Sequence, residues 1–310
     1  MNQTFCRTLL TRSRFRPEAQ AFFGEVLDAL RADGREREID RLVQVYHDSG
    51  FDTAAMNEAI AAAAPGLNLS PYTVWMLILM EAAGAVYEPY LAAGMPEEVY
   101  WDTFSDFACK AEECRSVHGV YGTFVAHWYP RFFRGEIVKL GRLEYETHPY
   151  PGKEPFTLGG YTLQPNEEIF SIHIPSSGEP FDRESRLASY RMAREYFADR
   201  LQGGPFVAFC DSWLLYPAYR EVFPKGSRIA SFAEDFTIVE AVTEPHFSDA
   251  WRVFADKAAL PAQDLPTNTR LRAAFREYML HHDAFGEGLG VLILDDEGLR
   301  VRSPERKHHA

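Results

Sequence analysis

The chain has 310 residues, enough for two domains or one large one, and its hydrophobic fraction of 46% can build a substantial core. A net charge of −13 without a basic stripe excludes a free nucleic-acid binder. The opening residues, MNQTFCRTLLTRSRFRPEAQ, lack the apolar centre of a signal peptide. The most apolar run, Val74 to Met80, is too short to span a bilayer and is closed by Glu81. Cysteines stand at positions 6, 109, 114 and 210 without the spacing of an oxidised framework. The expectation is a cytoplasmic chain with reduced thiols and no membrane partner.

Residues 1 to about 135 read as helical. Pro17 suits a helix start, followed by a stripe of Phe22, Phe23, Val26, Leu27 and Leu30. Ile39, Leu42, Val43 and Tyr46 form a second stripe, stopped by Gly50. Ser70 and Pro71 are a cap and a first-turn proline, opening a helix to about Leu91. Pro96 opens another, and Thr123 to Arg134 reads as a last helix perturbed by Pro130. With no internal repeat, the pattern is a bundle rather than a solenoid.

The texture changes at Gly135. Ile137 to Thr147 alternates near its end, with Leu143 and Tyr145 on one face and Arg142, Glu144 and Glu146 on the other, so both glutamates are expected in solvent. Phe156 to Leu163 carries Gly159 and Gly160 and reads as strand and turn. Ile169 to Pro175 is a strand. Ser176 to Pro180 is a small-residue turn, and Asp182 to Leu201 has helical spacing. Phe206 to Leu215 is apolar nearly throughout, as in a strand covered on both faces and paired in parallel. Beyond it, Tyr216 to Phe223 suggests a short helix and Ile229 to Val242 one or two strands. Thr267 suggests a helix cap, and Gly290 to Leu294 a short strand. The organisation expected is α+β: a helical domain over 1–134, a mixed-sheet domain over 135–300, and a loose tail over 301–310.

A strand, small-residue loop, helix and strand in succession leave peptide N–H groups unpaired at the start of the helix. Together with the helix dipole these suit an anion, and a phosphate-bearing cofactor is the candidate. Asp182 and Glu184 already bring negative charge to that turn, and Arg183 and Arg186 partly offset it.

WDTFSDF (Trp101 to Phe107), RGEIVKLGRLEYE (Arg134 to Glu146), IHIPSSGEPF (Ile172 to Phe181), FCDSWLLYP (Phe209 to Pro217), SRIASFAEDFTI (Ser227 to Ile238) and LPTNTRLRAAF (Leu265 to Phe275) occur in this order over nearly the whole chain. In these motifs the sequence resembles a bacterial family of two-domain acyltransferases, with a helical N-acyltransferase N-terminal domain and a GNAT-like C-terminal domain. The resemblance implies acyl-CoA as co-substrate, with its pyrophosphate on the loop after the first strand of the crossover. It also implies a small-molecule or peptide amine as acceptor. Two departures stand out. Ser176 to Pro180 lacks the Q/R-x-x-G-x-G/A pattern of well-studied GNAT enzymes, and Asp211 stands where family members often carry histidine.

Acyl transfer to an amine needs a base for the amine, donors for the thioester oxyanion and a proton for the leaving thiolate. The peptide N–H groups near Ile174 and Ser176 are candidates for the oxyanion, and Ser176, Ser177, Gly178 and Arg183 for the pyrophosphate. His173 is the candidate base at neutral pH, against a purely structural role. Glu144, Glu146, Asp211 and Ser212 are further candidates, and Tyr216 or Tyr219 can supply the acid. An acyl-cysteine at Cys210 is disfavoured, because cysteine in an apolar strand is usually just buried. A metal is not expected: Cys109 points away from Cys114 and His118 on a helix, and the adjacent His281 and His282 point apart. The reading is an acyl-CoA-dependent N-acyltransferase working by direct transfer. Its rivals are a non-catalytic acyl-CoA-binding sensor or scaffold and a thioester hydrolase using Ser212.

Overall fold

A computed structural model describes residues 1–300, so the expected tail at 301–310 lies outside the described residues. The chain forms two compact units: Met1–Lys139 together with Pro175–Glu179, and Leu140–Ile174 together with the chain from Pro180 onward.

The first unit is helical. Its helices are Gln3–Arg12, Pro17–Ala32, Glu36–Asp48, Thr53–Leu67, Pro71–Ala92, Glu97–Phe104 and Asp106–His118. Pro71–Ala92 is the central one. From Thr73 to Met80 every side chain is buried, as expected of a helix apolar on all sides. Ser70 Oγ accepts from Tyr72 N at 3.3 Å and Pro71 follows in the first turn, as the sequence predicts. The expected helix over Thr123 to Arg134 is instead a 3₁₀ turn, Ala126–Trp128, and one helical turn, Pro130–Phe133. Pro130 has no N–H for a continuous ladder, so the helix restarts with proline in its first turn. Among the described residues no single helix is long and apolar enough to cross a membrane.

The strands are β1 (Ile137–Leu140), β2 (Leu143–Pro149), β3 (Phe156–Leu158), β4 (Tyr161–Leu163), β5 (Glu168–His173), β6 (Phe206–Ser212), β7 (Thr237–Glu244), β8 (Phe285–Asp295) and β9 (Gly298–Arg300). β1 lies across the residue boundary of the two units. In the second unit the sheet runs β2–β5–β6–β8–β7, with β9 on β8. β5 and β6 are parallel, joined through the helix Arg183–Tyr196, and the other pairs are antiparallel. β3 and β4 form a hairpin whose turn glycines, Gly159 (φ 60) and Gly160 (φ 83), both take the left-handed backbone of a tight two-residue turn.

Three expectations change. Ile229 to Val242 is strand only from Thr237. Ser227 Oγ accepts from Ala230 N at 3.2 Å and caps a helix, Arg228–Phe232, that the β-like composition concealed. Thr269, not Thr267, caps the helix Arg270–His281, accepting from Arg272 N at 3.1 Å. The strand placed at Gly290 to Leu294 begins at Phe285. Its glycines look like breaks in sequence but are required by close neighbours: a Cβ at Gly288 would lie 2.3 Å from Leu215 O, and one at Gly286 1.9 Å from Val242 O.

Register sorts the sheet into two faces. Leu143, Tyr145, Phe170, Ile172, Ala208 and Cys210 share the face that carries the three β8 glycines. On that side Ser189, from the helix Arg183–Tyr196, has its hydroxyl 2.8 Å from Tyr145 Oη. The other face carries Ile169, Val207, Phe209, Val291 and Ile293, which form an apolar cluster with Tyr150, Phe156 and Leu163. Further along the same strands this face turns polar, and the candidate site begins there.

Candidate active site

The β5–β6 ladder stops at the pair Ser171–Phe209, although β5 continues to His173 and β6 to Ser212. Past that pair β6 stays bonded to β8, with Asp211 opposite Leu289, and β5 stays bonded to β2, with His173 opposite Glu144. Two parallel strands thus part while each keeps its outer neighbour. His173 is the last residue of β5 on the side of the split.

Period-two alternation puts Ser171 and His173 on the face of Phe209 and Asp211, and Glu144, Glu146 and His148 on the same face of β2. His173 Nε2 lies 2.9 Å from Glu146 Oε2. The imidazole is 25% exposed and the Glu146 carboxylate 9%, so the pair is largely screened from bulk water. Glu144 and Glu146 are not in solvent as expected: both residues are buried. The alternation suggested a solvated face, but at these two positions that face is buried.

The charge on this face is negative. Asp211, Leu289 and Glu240 align across β6, β8 and β7, and Glu287 follows two residues along β8 from Leu289. Partial burial raises the Asp211 carboxyl above its ordinary value, with Glu240 adding to the effect. Burial, then the charges of Asp211, Asp249 and Glu244, pushes Glu287 up to about 6. The reading from sequence missed Glu240 and Glu287. The signal available for Glu287 was period two counted from Leu289 and Val291, hidden by the glycines around it.

Residues 4–135 match the model of the N-acyltransferase N-terminal domain, and residues 137–292 that of the GNAT-like C-terminal domain. The chain belongs to this family of two-domain acyltransferases. Solved structures share the fold at low identity. An acyltransferase in complex with decanoyl-CoA and teicoplanin is 20% identical with a TM-score of 0.69, covering 93% of this chain and 87% of its own. An acyltransferase in complex with CoA and 10C-teicoplanin is 19% identical with a TM-score of 0.70, covering 92% and 86%. No curated protein sequence matches the chain.

As a two-domain acyltransferase, the chain places its other candidate residues unevenly. Glu144, Glu146, His173 and Asp211 share one face of the GNAT-like sheet. Ser212 falls on the opposite face, and its Oγ accepts from Leu214 N at 3.2 Å, capping a 3₁₀ turn. Tyr216 is on that side as well, its Oη 2.8 Å from Thr243 Oγ1 and its ring against Gly286. Tyr219 packs among Phe223, Phe247, Phe275 and Tyr278. Cys210 is buried, and burial moves its thiol far from the range in which it would ionise.

In the loop after β5, Ile174 is half-buried and Ser176 Oγ donates to Glu113 Oε1 at 2.6 Å. Ser177 Oγ accepts from Glu179 N at 3.3 Å, and Gly178 has φ 74. Arg183 is exposed on the first helical turn, where Asp182 caps the helix by accepting from Ser185 N at 2.9 Å. Arg186, read as partial compensation for Asp182 and Glu184, is fully buried instead. Its Nε donates to Asp235 Oδ2 at 2.5 Å and its Nη1 to Phe181 O at 2.9 Å. Among the described residues no group of three or more His, Cys, Asp or Glu is placed to hold a metal ion. His281 lies 2.9 Å from Glu277, and His282 stacks on Tyr278.

Proposed function

We propose that this acyltransferase moves an acyl group from acyl-CoA to an amine by direct transfer, with His173 as the base. The observation that carries the reading is the His173–Glu146 pair at 2.9 Å on the strand end where β5 and β6 part. An imidazole that binds a carboxylate through one nitrogen has a fixed ring plane, and its other nitrogen can take a proton. In this reading the amine nitrogen attacks the thioester carbonyl and gives its proton to His173. Peptide N–H groups around Ile174 and Ser176 hold the oxyanion, and the intermediate collapses by breaking the C–S bond. The departing thiolate takes the proton back from His173, so no separate acid is needed and Tyr216 is left to packing.

Asp211, Glu240 and Glu287 give the face of His173 a negative field. That field suits a cationic amine, which is concentrated there and releases one proton to solvent before the neutral nitrogen attacks. Solved structures of this fold in complex with decanoyl-CoA, and with teicoplanin, support a medium-chain acyl-CoA donor and a bulky small-molecule acceptor. The coenzyme's pyrophosphate is assigned to the peptide groups of Ser176, Ser177 and Gly178, with Arg183 beside them.

The capped first turn at Asp182 and the engaged hydroxyl of Ser176 favour the second reading, a protein that binds acyl-CoA without turnover. One experiment separates the two. The protein is incubated with decanoyl-CoA and a panel of amines that includes teicoplanin, and free thiol and acyl-amine product are followed. Product that disappears in His173→Ala while CoA binding persists supports the enzyme. Binding without product across the panel supports the second reading. Thiol release without any acceptor points to hydrolysis.

A further inference from the structure

The helices Thr53–Leu67 and Pro71–Ala92 are bent by 107° at the break between them, and a pocket of about 150 Å³ opens beside the start of each. Every residue that lines it lies between Thr53 and His127, so the helical unit builds it alone. The first helix brings Thr53 and Asn57, one turn apart on the same face. The second brings Tyr72 and Trp75, and Phe124 and Ala126 close the far wall.

That wall is held in place. Tyr72 stacks on His118 with ring centroids 4.5 Å apart, and Phe124 meets the same imidazole edge-on at 4.9 Å. Thr73 Oγ1 donates to Tyr121 O at 2.8 Å, and Thr123 N donates to Tyr72 O at 3.0 Å. Between them Gly122 approaches so closely that a Cβ there would lie 2.3 Å from Tyr72 C. The segment is thus pinned to the helix start, and a preformed wall spares a ligand the cost of ordering it.

Trp75 Nε1 donates to Asn57 Oδ1 at 2.9 Å. That bond fixes the amide and leaves Nδ2 as a donor. The pocket therefore offers aromatic surface from Tyr72, Trp75 and Phe124 with a hydrogen-bond donor on Asn57. Its volume decides the size of the occupant. About 150 Å³ holds one benzene-sized ring, whereas drug-sized ligands need about 300–1,000 Å³. A sugar of ring size carries hydroxyls all round, and an aromatic wall leaves most of them without partners.

We propose that the helical unit binds a small phenol-type ring in this pocket: flat, six-membered, seated on Tyr72, Trp75 and Phe124, with its oxygen accepting from Asn57. This binding does not depend on His173 being a base.

Phenol is the probe, titrated into the full chain by calorimetry and followed by saturation-transfer NMR. A ligand of this size should bind with a dissociation constant of about 1 mM. In a wholly apolar cavity phenol loses to benzene, because its hydroxyl is buried without a partner. Here phenol should bind about fivefold tighter than benzene, the worth of one hydrogen bond. Ala126 and Thr53 are small residues on the pocket lining. Ala126→Leu and Thr53→Leu should each occupy the space and weaken phenol about tenfold or more. Thr53 is half-buried at a helix start, so its variant serves if Ala126→Leu fails to fold. No saturable phenol binding below about 20 mM overturns the proposal. So does benzene that binds as tightly as phenol, or phenol binding that is unchanged in the leucine variants. Methyl glucoside that displaces phenol and binds more tightly overturns it as well, since the pocket would then select a sugar.

Discussion

Glu144 stands directly opposite His173 across the β2–β5 ladder, but the carboxylate that meets the imidazole is that of Glu146, its diagonal neighbour, at 2.9 Å. Diagonal pairs on one face of a sheet are within reach of long side chains. Two buried carboxylates thus share one face with the histidine. The arrangement orients the ring through Glu146.

The two carboxylates can be told apart by rate. His173→Ala should lower kcat by about a hundredfold or more, the usual range for loss of a general base. Glu146→Gln keeps the shape but not the charge, and should lower kcat about tenfold while KM for the acyl donor stays put. Glu144→Gln should have the smaller effect. A Glu144→Gln protein without turnover, beside a His173→Ala protein that still turns over, would move the role of base to Glu144.

Arg186 and Asp235 give a prediction about stability. The guanidinium is fully buried and binds Asp235, Phe181 O and Ser231 O, while Tyr190 Oη donates to the same Asp235 oxygen at 3.0 Å. This network ties the helix that follows the β5 loop to the segment before β7. Arg186→Met leaves Asp235 buried without its cation, and should cost about 3–5 kcal/mol of unfolding free energy in a urea titration. Replacing both partners, as Arg186→Met with Asp235→Leu, should recover much of that loss, because the uncompensated charge is gone.

Gly288 tests the glycine row on β8. A Cβ there would approach Leu215 O to 2.3 Å and Leu215 C to 2.6 Å, both backbone atoms that cannot rotate away. Gly288→Ala should therefore destabilise the protein by about 1–3 kcal/mol, read as a lower urea midpoint at unchanged slope. An alanine variant as stable as the parent would mean that the turn after β6 does not press on β8 in solution.

Legibility in the sequence followed how local the physics was. Caps and prolines act within one turn, so Ser70 with Pro71 and the start at Pro17 could be read directly. The parallel β5–β6 pair was readable because an apolar run bounded by turns has few other uses. His173 could be named from its place at a strand end. Burial of Glu144 and Glu146 was not readable, since alternation reports two faces but not what covers each one. Arg186 looked like a surface cation because its partner, Asp235, is 49 residues away in sequence. The helix at Arg228–Phe232 was masked by β-like composition that tertiary contacts overrode.

Glu287 makes stability depend on pH in a defined window. Its carboxyl sits at about 6 in the folded chain, against an ordinary value of 4.5, because of burial and of Asp211, Asp249 and Glu244. A raised carboxyl means the folded state holds its proton more tightly than the unfolded state. The folded state is thus favoured below about pH 4.5, and that advantage is lost as pH rises through about 6. Solvent screens a partly exposed group, so the effect should be about 1 kcal/mol rather than the full linkage value. Glu287→Gln removes the charge at all pH values. Its Tm should exceed that of the parent at pH 7.5 and match it near pH 4.5, in buffers of equal ionic strength. The same variant should weaken capture of a cationic amine above pH 6, seen as a higher KM for the acceptor at unchanged KM for the acyl donor. A Tm difference that stays constant across this range would show that Glu287 ionises as an ordinary surface carboxylate and contributes nothing special to the acidic face.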